Sequence, residues 1–272
     1  MTEPGATPVF QLAGFSIERF ESGGRSYPVY RRGTGPAVLV MHEIPGIAPE
    51  VARFATWVAD AGFSVAMPSL FGTPGKPLSG PYALLEFARA CISREFAVLA
   101  AKRSSPITDW LRALGLALHA EVGGAGVGAI GMCLTGNFAL ALMLEPAFRA
   151  PVLAQPSLPI PIGRARRRGL HVSADELSCA KRRAAEGAGP LALRFDADPL
   201  CPAERFDRLR AEFGTTIETI EIPSRHGRRP GAKAHCTLTH DLVDQPGHPT
   251  AAARDRVIAF LRERLLADAP PR

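Results

Sequence analysis

A cysteine stands at the point where an apolar run gives way to helix-forming residues, in Gly131-Met132-Cys133-Leu134-Thr135-Gly136. The segment follows the nucleophile-elbow pattern G-x-S-x-G, with a thiol in place of the hydroxyl and Thr135 where the pattern has its second glycine. Glycine beside the nucleophile lets a strand reverse into a helix and leaves the central side chain above the sheet. The N-terminus of the following helix favours a thiolate. Cys133 is therefore the candidate nucleophile, with a buried cysteine in a strand-to-helix turn as the alternative.

A cysteine nucleophile works with a base and with an acid that orients the base. His235 lies in a long loop after the last predicted strand and is the candidate base, although His240 competes with it. Two aspartates, Asp196 and Asp198, follow the strand predicted at 191–195. Asp198 lies deeper in the loop, and we predict that it orients the histidine.

Polar and backbone groups after the strand predicted at 37–41 complete the candidate site. Glu43 either binds backbone in a turn or faces the nucleophile. The backbone N–H groups of Ile44 and Leu134 are the predicted donors to an oxyanion. His42, beside Glu43, either lines the pocket and contacts substrate or fills the space beneath it.

Strands and helices alternate along almost the whole chain, which predicts a mostly parallel sheet with helices on both faces. We expect a flexible N-terminus over residues 1–9 and a single α/β domain over residues 10–268. Sites in such sheets lie at the carboxyl ends of strands, where all the candidate residues fall. After an edge hairpin within 15–30, the predicted strands are 37–41, 63–68, the run before Cys133, 150–155, 191–195 and 216–222; the predicted helices are 49–61, 82–101, 107–121, 135–146, 173–187, 202–213 and 249–267.

The excess of positive charge is confined to short runs. The chain has 272 residues, with 32 Lys and Arg against 26 Asp and Glu, and the excess falls at 164–168, 181–183 and 225–229. Such runs usually lie on solvated surfaces, and they can steer anionic substrates. No aromatic interleaving or nucleic-acid motif accompanies them, so we expect no nucleic-acid partner.

The cysteines indicate neither a zinc site nor a disulfide framework. There are five, they are widely spaced, and none falls in a C-x-x-C pair, so we expect no metal and no cofactor. The N-terminus lacks the pattern of a signal peptide, and no apolar stretch reaches membrane-spanning length. These features predict a cytoplasmic protein with no membrane partner.

Four segments in this order, at 41–46, 131–136, 198–202 and 235–238, resemble the dienelactone hydrolase family, a branch of the α/β-hydrolases. The resemblance covers roughly residues 30–265 and implies the α/β-hydrolase fold. It also implies a triad of Cys133, His235 and Asp198, with Glu43 in contact with the nucleophile. The implied activity is hydrolysis of an ester or lactone through a thioester acyl-enzyme.

The same resemblance implies that basic and tyrosyl groups on the middle loops and helices hold the substrate. Arg94 and Tyr82 are the candidates, and a surface ion pair with Glu95 is the alternative role for Arg94. The expected partner is a small-molecule ester or lactone, and the protein is expected to be a monomer or a homodimer. Two other functions stay open: a catalytically inactive, ligand-binding domain of the same fold, and a redox-active thiol protein.

Overall fold

The protein is represented by a computed structural model that describes residues 11–92 and 106–266. The predicted flexible N-terminus over residues 1–9 and the candidate substrate-binding residue Arg94 lie outside the described residues.

One mixed sheet organises the described part of the chain. Its spatial order is β1-β2-β4-β3-β5-β6-β7-β8, in which β1 and β2 pair antiparallel, β2 pairs antiparallel with β4, and the remaining pairs are parallel. This confirms the predicted mostly parallel sheet. The strands are β1 Ser16–Ser22, β2 Arg25–Arg32, β3 Ala37–Met41, β4 Ser64–Pro68, β5 Val127–Met132, β6 Phe148–Ala154, β7 Leu191–Phe195 and β8 Glu218–Ile222.

The α-helices follow the predicted order with two differences. A short helix lies in the segment 156–172, which we predicted as loop, and the helix after the candidate nucleophile is shorter than predicted. No described helix is both long and apolar enough to cross a bilayer. The helices are α1 Pro49–Asp60, α2 Gly80–Ile92, α3 Pro106–Val122, α4 Gly136–Leu142, α5 Arg164–Arg167, α6 Ala174–Arg183, α7 Ala203–Phe213 and α8 Pro249–Leu265.

The sheet separates two apolar cores because successive side chains of a strand point to opposite faces. In β3, Leu39 and Met41 pack with α3, α4 and α7, whereas Val38 and Val40 pack with α1 and α8. Every residue of β3 is buried, which explains why its sequence is continuously apolar. The polar residues that follow β3, β5, β6 and β7 therefore lie on one edge of a rigid, two-sided core.

A buried arginine fixes the segment that connects β6 to α6. The Arg205 guanidinium, on α7, donates to the carbonyl oxygens of Pro156 at 2.6 Å, Pro159 at 2.6 Å, Arg166 at 2.9 Å and Gly169 at 2.9 Å. Its side chain is fully buried. One side chain thus supplies donors to backbone acceptors along the whole segment, of which the Arg166 carbonyl oxygen also accepts from the Gly169 N–H.

Replacing Arg205 by Met is expected to lower the free energy of unfolding by about 3 kcal/mol, because buried carbonyls lose their donors. Urea unfolding followed by tryptophan fluorescence measures the change. Arg208→Met on the same helix is the matched control, since Arg208 is partly exposed and pairs with Glu212. Its loss should stay below about 1 kcal/mol. Equal losses in the two variants would contradict the bracing role of Arg205.

Candidate active site

Cys133 adopts a backbone conformation that sets its side chain apart from the sheet. It follows β5 with φ of +55°, in the left-handed region that non-glycine residues rarely occupy. Gly131 makes the turn possible, because a Cβ there would lie 2.2 Å from the Thr135 carbonyl oxygen. The thiol is partly exposed, whereas the flanking Met132 and Leu134 are buried. The local structure has the shape that the elbow pattern predicts.

Thr135 closes the elbow in place of the usual glycine. Its φ is −87°, so the position does not need glycine. The buried hydroxyl accepts from the Met132 N–H at 2.9 Å and lies 2.9 Å from the Met41 carbonyl oxygen, to which it can donate. The threonine therefore ties the elbow to the end of β3, and its side chain points into the protein.

His235 and Asp198 form a hydrogen-bonded pair. The imidazole Nδ1 lies 2.7 Å from Asp198 Oδ2, and the other carboxylate oxygen of Asp198 accepts from the Leu200 N–H at 2.9 Å. The Asp198 side chain is fully buried. The imidazole Nε2 is buried and has no hydrogen-bond partner among the described residues. It is the nitrogen left to exchange a proton with a nucleophile or substrate.

The charges around His235 favour its protonated form. Burial is the largest single influence on its pKa and lowers it, but the charges of Cys133 and Asp198 and the hydrogen bonding of the ring together outweigh burial, so the pKa lies well above its ordinary value. The structure thus brings the three predicted triad residues together. Asp196, the alternative acid, instead accepts from the Ser224 N–H at 2.8 Å and fastens its loop to the end of β8.

Two charged side chains hold the triad loops in position. Arg194, buried in β7, donates to the carbonyl oxygens of Asp196 at 2.7 Å and Cys201 at 2.8 Å, one on either side of Asp198. Asp241 Oδ2 accepts from the N–H groups of His235 at 2.9 Å and Cys236 at 3.0 Å. These positioning residues carry no motif that distinguishes them in the sequence.

Asp241 stays ionised within the histidine loop, the segment 223–248 between β8 and α8 that carries His235. Burial alone would raise its pKa, but the Arg229 guanidinium and the N–H groups of His235 and Cys236 hold the pKa below its usual range. Both Arg229 contacts are short, with Nε to Oδ1 at 2.8 Å and Nη2 to Oδ2 at 2.7 Å.

The competing histidine, His240, is directed elsewhere. Its Nδ1 lies 3.4 Å from Glu50 and its Nε2 3.9 Å from Glu43. It does not line the cavity that holds Cys133, His235 and Asp198. The geometry therefore favours His235 as the base.

Glu43 belongs to a buried polar network. The network connects the end of β3 with the end of β6 and with the histidine loop. Gln155 Nε2 donates to Glu43 Oε2 at 3.0 Å, and the Thr239 hydroxyl donates to Oε1. Gln155 Oε1 in turn accepts from the Thr237 hydroxyl at 2.6 Å. Cys133 is not among the hydrogen-bond partners of Glu43 in the described residues, and the contact between them stays a prediction.

Gln155 is a further residue of the site that the sequence analysis did not name. It is buried, follows β6 directly, and has φ of +37°. We predicted it as the last residue of a strand, whereas the strand ends one residue earlier. The sequence does indicate Gln155 as a candidate, because it is a polar residue directly after an apolar strand, like the other candidate residues at strand ends.

A second thiol, that of Cys236, interacts with both Glu43 and Cys133. Burial raises the pKa of Cys236 well above its ordinary value, and the charges of Glu43, Asp241 and Cys133 raise it further. Burial likewise raises the pKa of Cys201. Both thiols are thereby kept neutral, which leaves Cys133 as the partly exposed cysteine of the cavity.

The predicted oxyanion donors lie in the same cavity. Ile44 and Leu134 both line it, next to Cys133. Leu134 is in the first turn of the helical segment after the elbow, where N–H groups have no partner within the helix. Within the described chain, the Ile44 N–H is not used in a hydrogen bond. Both residues thus lie at the cavity of Cys133, and the role of their N–H groups as oxyanion donors stays a prediction.

His42 takes the second of its two predicted roles. Its ring is fully buried, with Nδ1 3.0 Å from the Glu43 carbonyl oxygen and Nε2 accepting from the Leu70 N–H at 3.0 Å. Burial lowers its pKa to about 4, so the ring is neutral near pH 7. Both ring nitrogens are occupied and His42 does not line the cavity, so its ring supports the loops beneath the cavity.

The cavity has a volume of about 490 Å³, within the range of small-molecule sites. No cluster of His, Cys, Asp or Glu in the described residues has the arrangement of a metal site. Apolar side chains dominate the walls, and charged groups lie near His235. The lining residues are Ile44, Leu78, Ala83, Leu84, Phe87, Cys133, Leu134, Ser157, Leu158, Ile160, Pro161, Asp198, Pro199, Leu200, Arg229, Ala232, Lys233, His235 and Cys236.

Comparison with known proteins places these features in a family. A profile of the dienelactone hydrolase family matches residues 26–222. A protein assigned as a dienelactone hydrolase from Klebsiella pneumoniae subsp. pneumoniae superposes with a TM-score of 0.61 at 17% identity, over 92% of this chain and 98% of the other. A search of curated proteins gave no match.

Two further solved structures share the fold. A dienelactone hydrolase-like promiscuous phosphotriesterase from metagenomic libraries has a TM-score of 0.59 at 17% identity, over 93% of this chain and 100% of the other. The dienelactone hydrolase from Anabaena variabilis has a TM-score of 0.55 at 15% identity, over 92% and 98%. Identities this low establish a common fold and leave the activity to the site.

The buried neutral state of His42 predicts acid sensitivity. Its pKa is about 4 in the folded protein and about 6.5 when unfolded, so the unfolded chain binds more protons between these values and stability falls as pH is lowered. Urea unfolding between pH 7 and pH 4 should show a loss larger by up to about 3 kcal/mol in the wild type than in His42→Gln. Parallel pH profiles for the two proteins would contradict this role.

Proposed function

Since the chain belongs to the dienelactone hydrolase family of α/β-hydrolases, we propose that it hydrolyses a carboxylic ester or lactone with Cys133 as the nucleophile. One observation carries the proposal. The cavity that contains the Cys133 thiol is also lined by His235 and Asp198, which are joined by a 2.7 Å hydrogen bond. A nucleophile, a base and an orienting acid around one cavity are the parts needed for acyl transfer.

In the proposed first half-reaction, His235 Nε2 takes the thiol proton and the Cys133 sulfur attacks the ester carbonyl carbon. The N–H groups of Ile44 and Leu134 stabilise the oxyanion of the tetrahedral intermediate. The intermediate collapses as the carbon–oxygen bond to the leaving group breaks. His235 returns its proton to the departing alkoxide, and a thioester remains on Cys133.

In the second half-reaction, His235 takes a proton from water, and the resulting hydroxide attacks the thioester carbonyl. Collapse releases the carboxylic acid, and the sulfur recovers the proton from His235. Asp198 orients the imidazole through Nδ1 and stabilises the imidazolium formed in each half. Burial lowers the pKa of His235, but the negative charges of Cys133 and Asp198 raise it, so they stabilise the imidazolium once the thiol proton has moved to the ring.

We assign Glu43 a modulating role. The buried carboxylate lies close to Cys236, which also interacts with Cys133, and a negative charge near the nucleophile opposes thiolate formation. This charge would keep the sulfur protonated until substrate is bound. Gln155 and Thr239 hold the carboxylate in place while it acts.

The cysteines of the described chain are compatible with the cellular compartment that we propose. Cys133, Cys179, Cys201 and Cys236 are all free thiols, as in the reducing cytoplasm that we propose as its location. The expected monomer or homodimer stays a prediction.

Hydrolysis of p-nitrophenyl acetate tests the proposal directly. Cys133→Ala should reduce kcat/KM by at least about 10³-fold, because it removes the sulfur on which the acyl-enzyme forms. Cys179→Ala is the matched control, since this cysteine lies on α6 outside the cavity, and its kcat/KM should be unchanged. Wild-type activity in Cys133→Ala would refute the assignment. An inert wild type across esters, lactones and thioesters would instead support a ligand-binding domain.

The choice of base is tested by two histidine variants. His235→Gln should lower kcat of the same ester by about 10³-fold, because it removes the proton carrier. His240→Gln should change kcat by less than about tenfold, since His240 contacts Glu50 and Glu43 away from the cavity. Stopped-flow detection of p-nitrophenol separates acylation from turnover in both variants. A larger loss in His240→Gln would reverse the assignment.

A further inference from the structure

The cavity has two chemically different sides, and the sheet order separates them. Cys133 follows β5, which lies between β3 and β6. The loop that carries Ile44 and the segment after β4 lie on one side of the sulfur. The loops that carry Asp198 and His235 follow β7 and β8 and lie on the other side.

The β4 side is apolar. Helix α2 contributes Ala83, Leu84 and Phe87 to the cavity, a spacing that puts the three on one helical face. Leu84 is 69% exposed and Phe87 is 37% exposed, which is unusual for large apolar side chains grouped at one site. Leu78 and Ile44 continue the same surface toward the sulfur.

This wall is anchored next to the predicted oxyanion site. Tyr82 is buried, its hydroxyl accepts from the Thr73 N–H at 2.6 Å, and the Lys76 ammonium lies 3.9 Å from the centre of its ring. A Cβ at Gly72 would lie 1.9 Å from the Pro45 carbonyl oxygen, so the loop before α2 packs directly against the turn after Ile44. Tyr82, a candidate for substrate binding, is therefore an anchor of α2.

The opposite side contains the proton donor and two basic side chains, next to apolar residues of the segments after β6 and β7. Arg229 and Lys233 line it beside His235, and Lys233 is exposed and forms no ion pair in the described chain. The Arg229 guanidinium is bound to Asp241. A leaving group must receive its proton from His235, so the alcohol part of an ester lies on this side and the acyl part points the other way.

We propose that Ile44, Leu78, Ala83, Leu84 and Phe87 form an acyl-binding subsite for an uncharged aliphatic or aromatic acyl chain of about six to ten carbons. The inference rests on the proposed function and adds the substrate class. An acetyl group would leave most of the 490 Å³ cavity empty, whereas a longer chain buries apolar surface against α2. The substrate is then an ester whose acyl chain is hydrophobic and whose alcohol part faces Lys233.

A series of p-nitrophenyl esters tests the subsite because the leaving group is constant. We expect kcat/KM to rise by at least about tenfold from acetate to octanoate, both used below the concentration at which they form micelles, since each buried methylene adds binding energy. A flat or falling series, in an enzyme whose acetate hydrolysis needs Cys133, would overturn the subsite and leave the proposed function intact. Absence of any ester hydrolysis would overturn the proposed function itself.

Variants of α2 locate the effect. Leu84→Ser and Phe87→Ser should each lower kcat/KM for the octanoate by about five- to tenfold more than they lower it for the acetate, because only the longer chain reaches this face of α2. Leu85→Ser is the matched control, because Leu85 is 48% exposed on the same helix but does not line the cavity, and it should keep the octanoate preference. Equal effects on acetate and octanoate would overturn the subsite.

Two further outcomes would also overturn it. If Phe87→Ser removes a preference for octyl acetate over ethyl acetate but leaves the acyl series unchanged, the orientation of the ester is reversed. If the Leu84 and Phe87 variants change the oligomeric state measured by size-exclusion chromatography with light scattering and leave acyl preference intact, the face of α2 is a subunit contact.

Discussion

The backbone conformation of Cys133 is the constraint on which the site depends. A left-handed φ at a non-glycine residue costs roughly 1–2 kcal/mol and persists only where neighbouring structure enforces it. Three neighbouring groups stabilise this conformation of Cys133. Thr135 joins the elbow to β3, the Ser157 N–H donates to the Cys133 carbonyl oxygen at 3.0 Å, and Gly131 leaves room for the reversal. The sulfur is accessible because the chain around it is held on three sides.

The polar groups of the site are stabilised by connection between loops that are distant in sequence. Gln155 joins the Glu43 carboxylate to Thr237 in the histidine loop, and Asp241 accepts from the backbone of that loop while it pairs with Arg229. Buried polar groups with several partners define a single geometry, because any displacement leaves one of them without a hydrogen bond. The loops after β3, β6 and β8 therefore hold one another in register around the thiol.

How far the sequence predicts this structure differs from residue to residue. Strands such as β3 and β7 are predicted to the residue, because both faces are buried and their sequences are apolar except for Arg194 in β7. The pairing of His235 with Asp198 follows from parallel strands that bring their carboxyl ends to one edge. Arg194 and Asp241 were not predicted, because their role is to bind backbone groups that only the folded chain brings near, whereas Gln155 could have been found as a polar residue at the end of an apolar strand. The sequence could not decide whether His42 lines the cavity or fills space beneath it, because the Leu70 N–H that donates to its ring is brought near only by the fold.

The way in which Arg205 holds the segment over the cavity has a consequence for the evolution of the protein. Every acceptor of this guanidinium is a main-chain carbonyl oxygen, so the anchor recognises the path of the segment and is indifferent to its side chains. Leu158 and Ile160, which line the cavity within that segment, can therefore be exchanged without releasing it. The residues that stabilise the segment are thus different from the residues that contact substrate. Point substitutions in the cavity can therefore change substrate selectivity during evolution while the fold is retained.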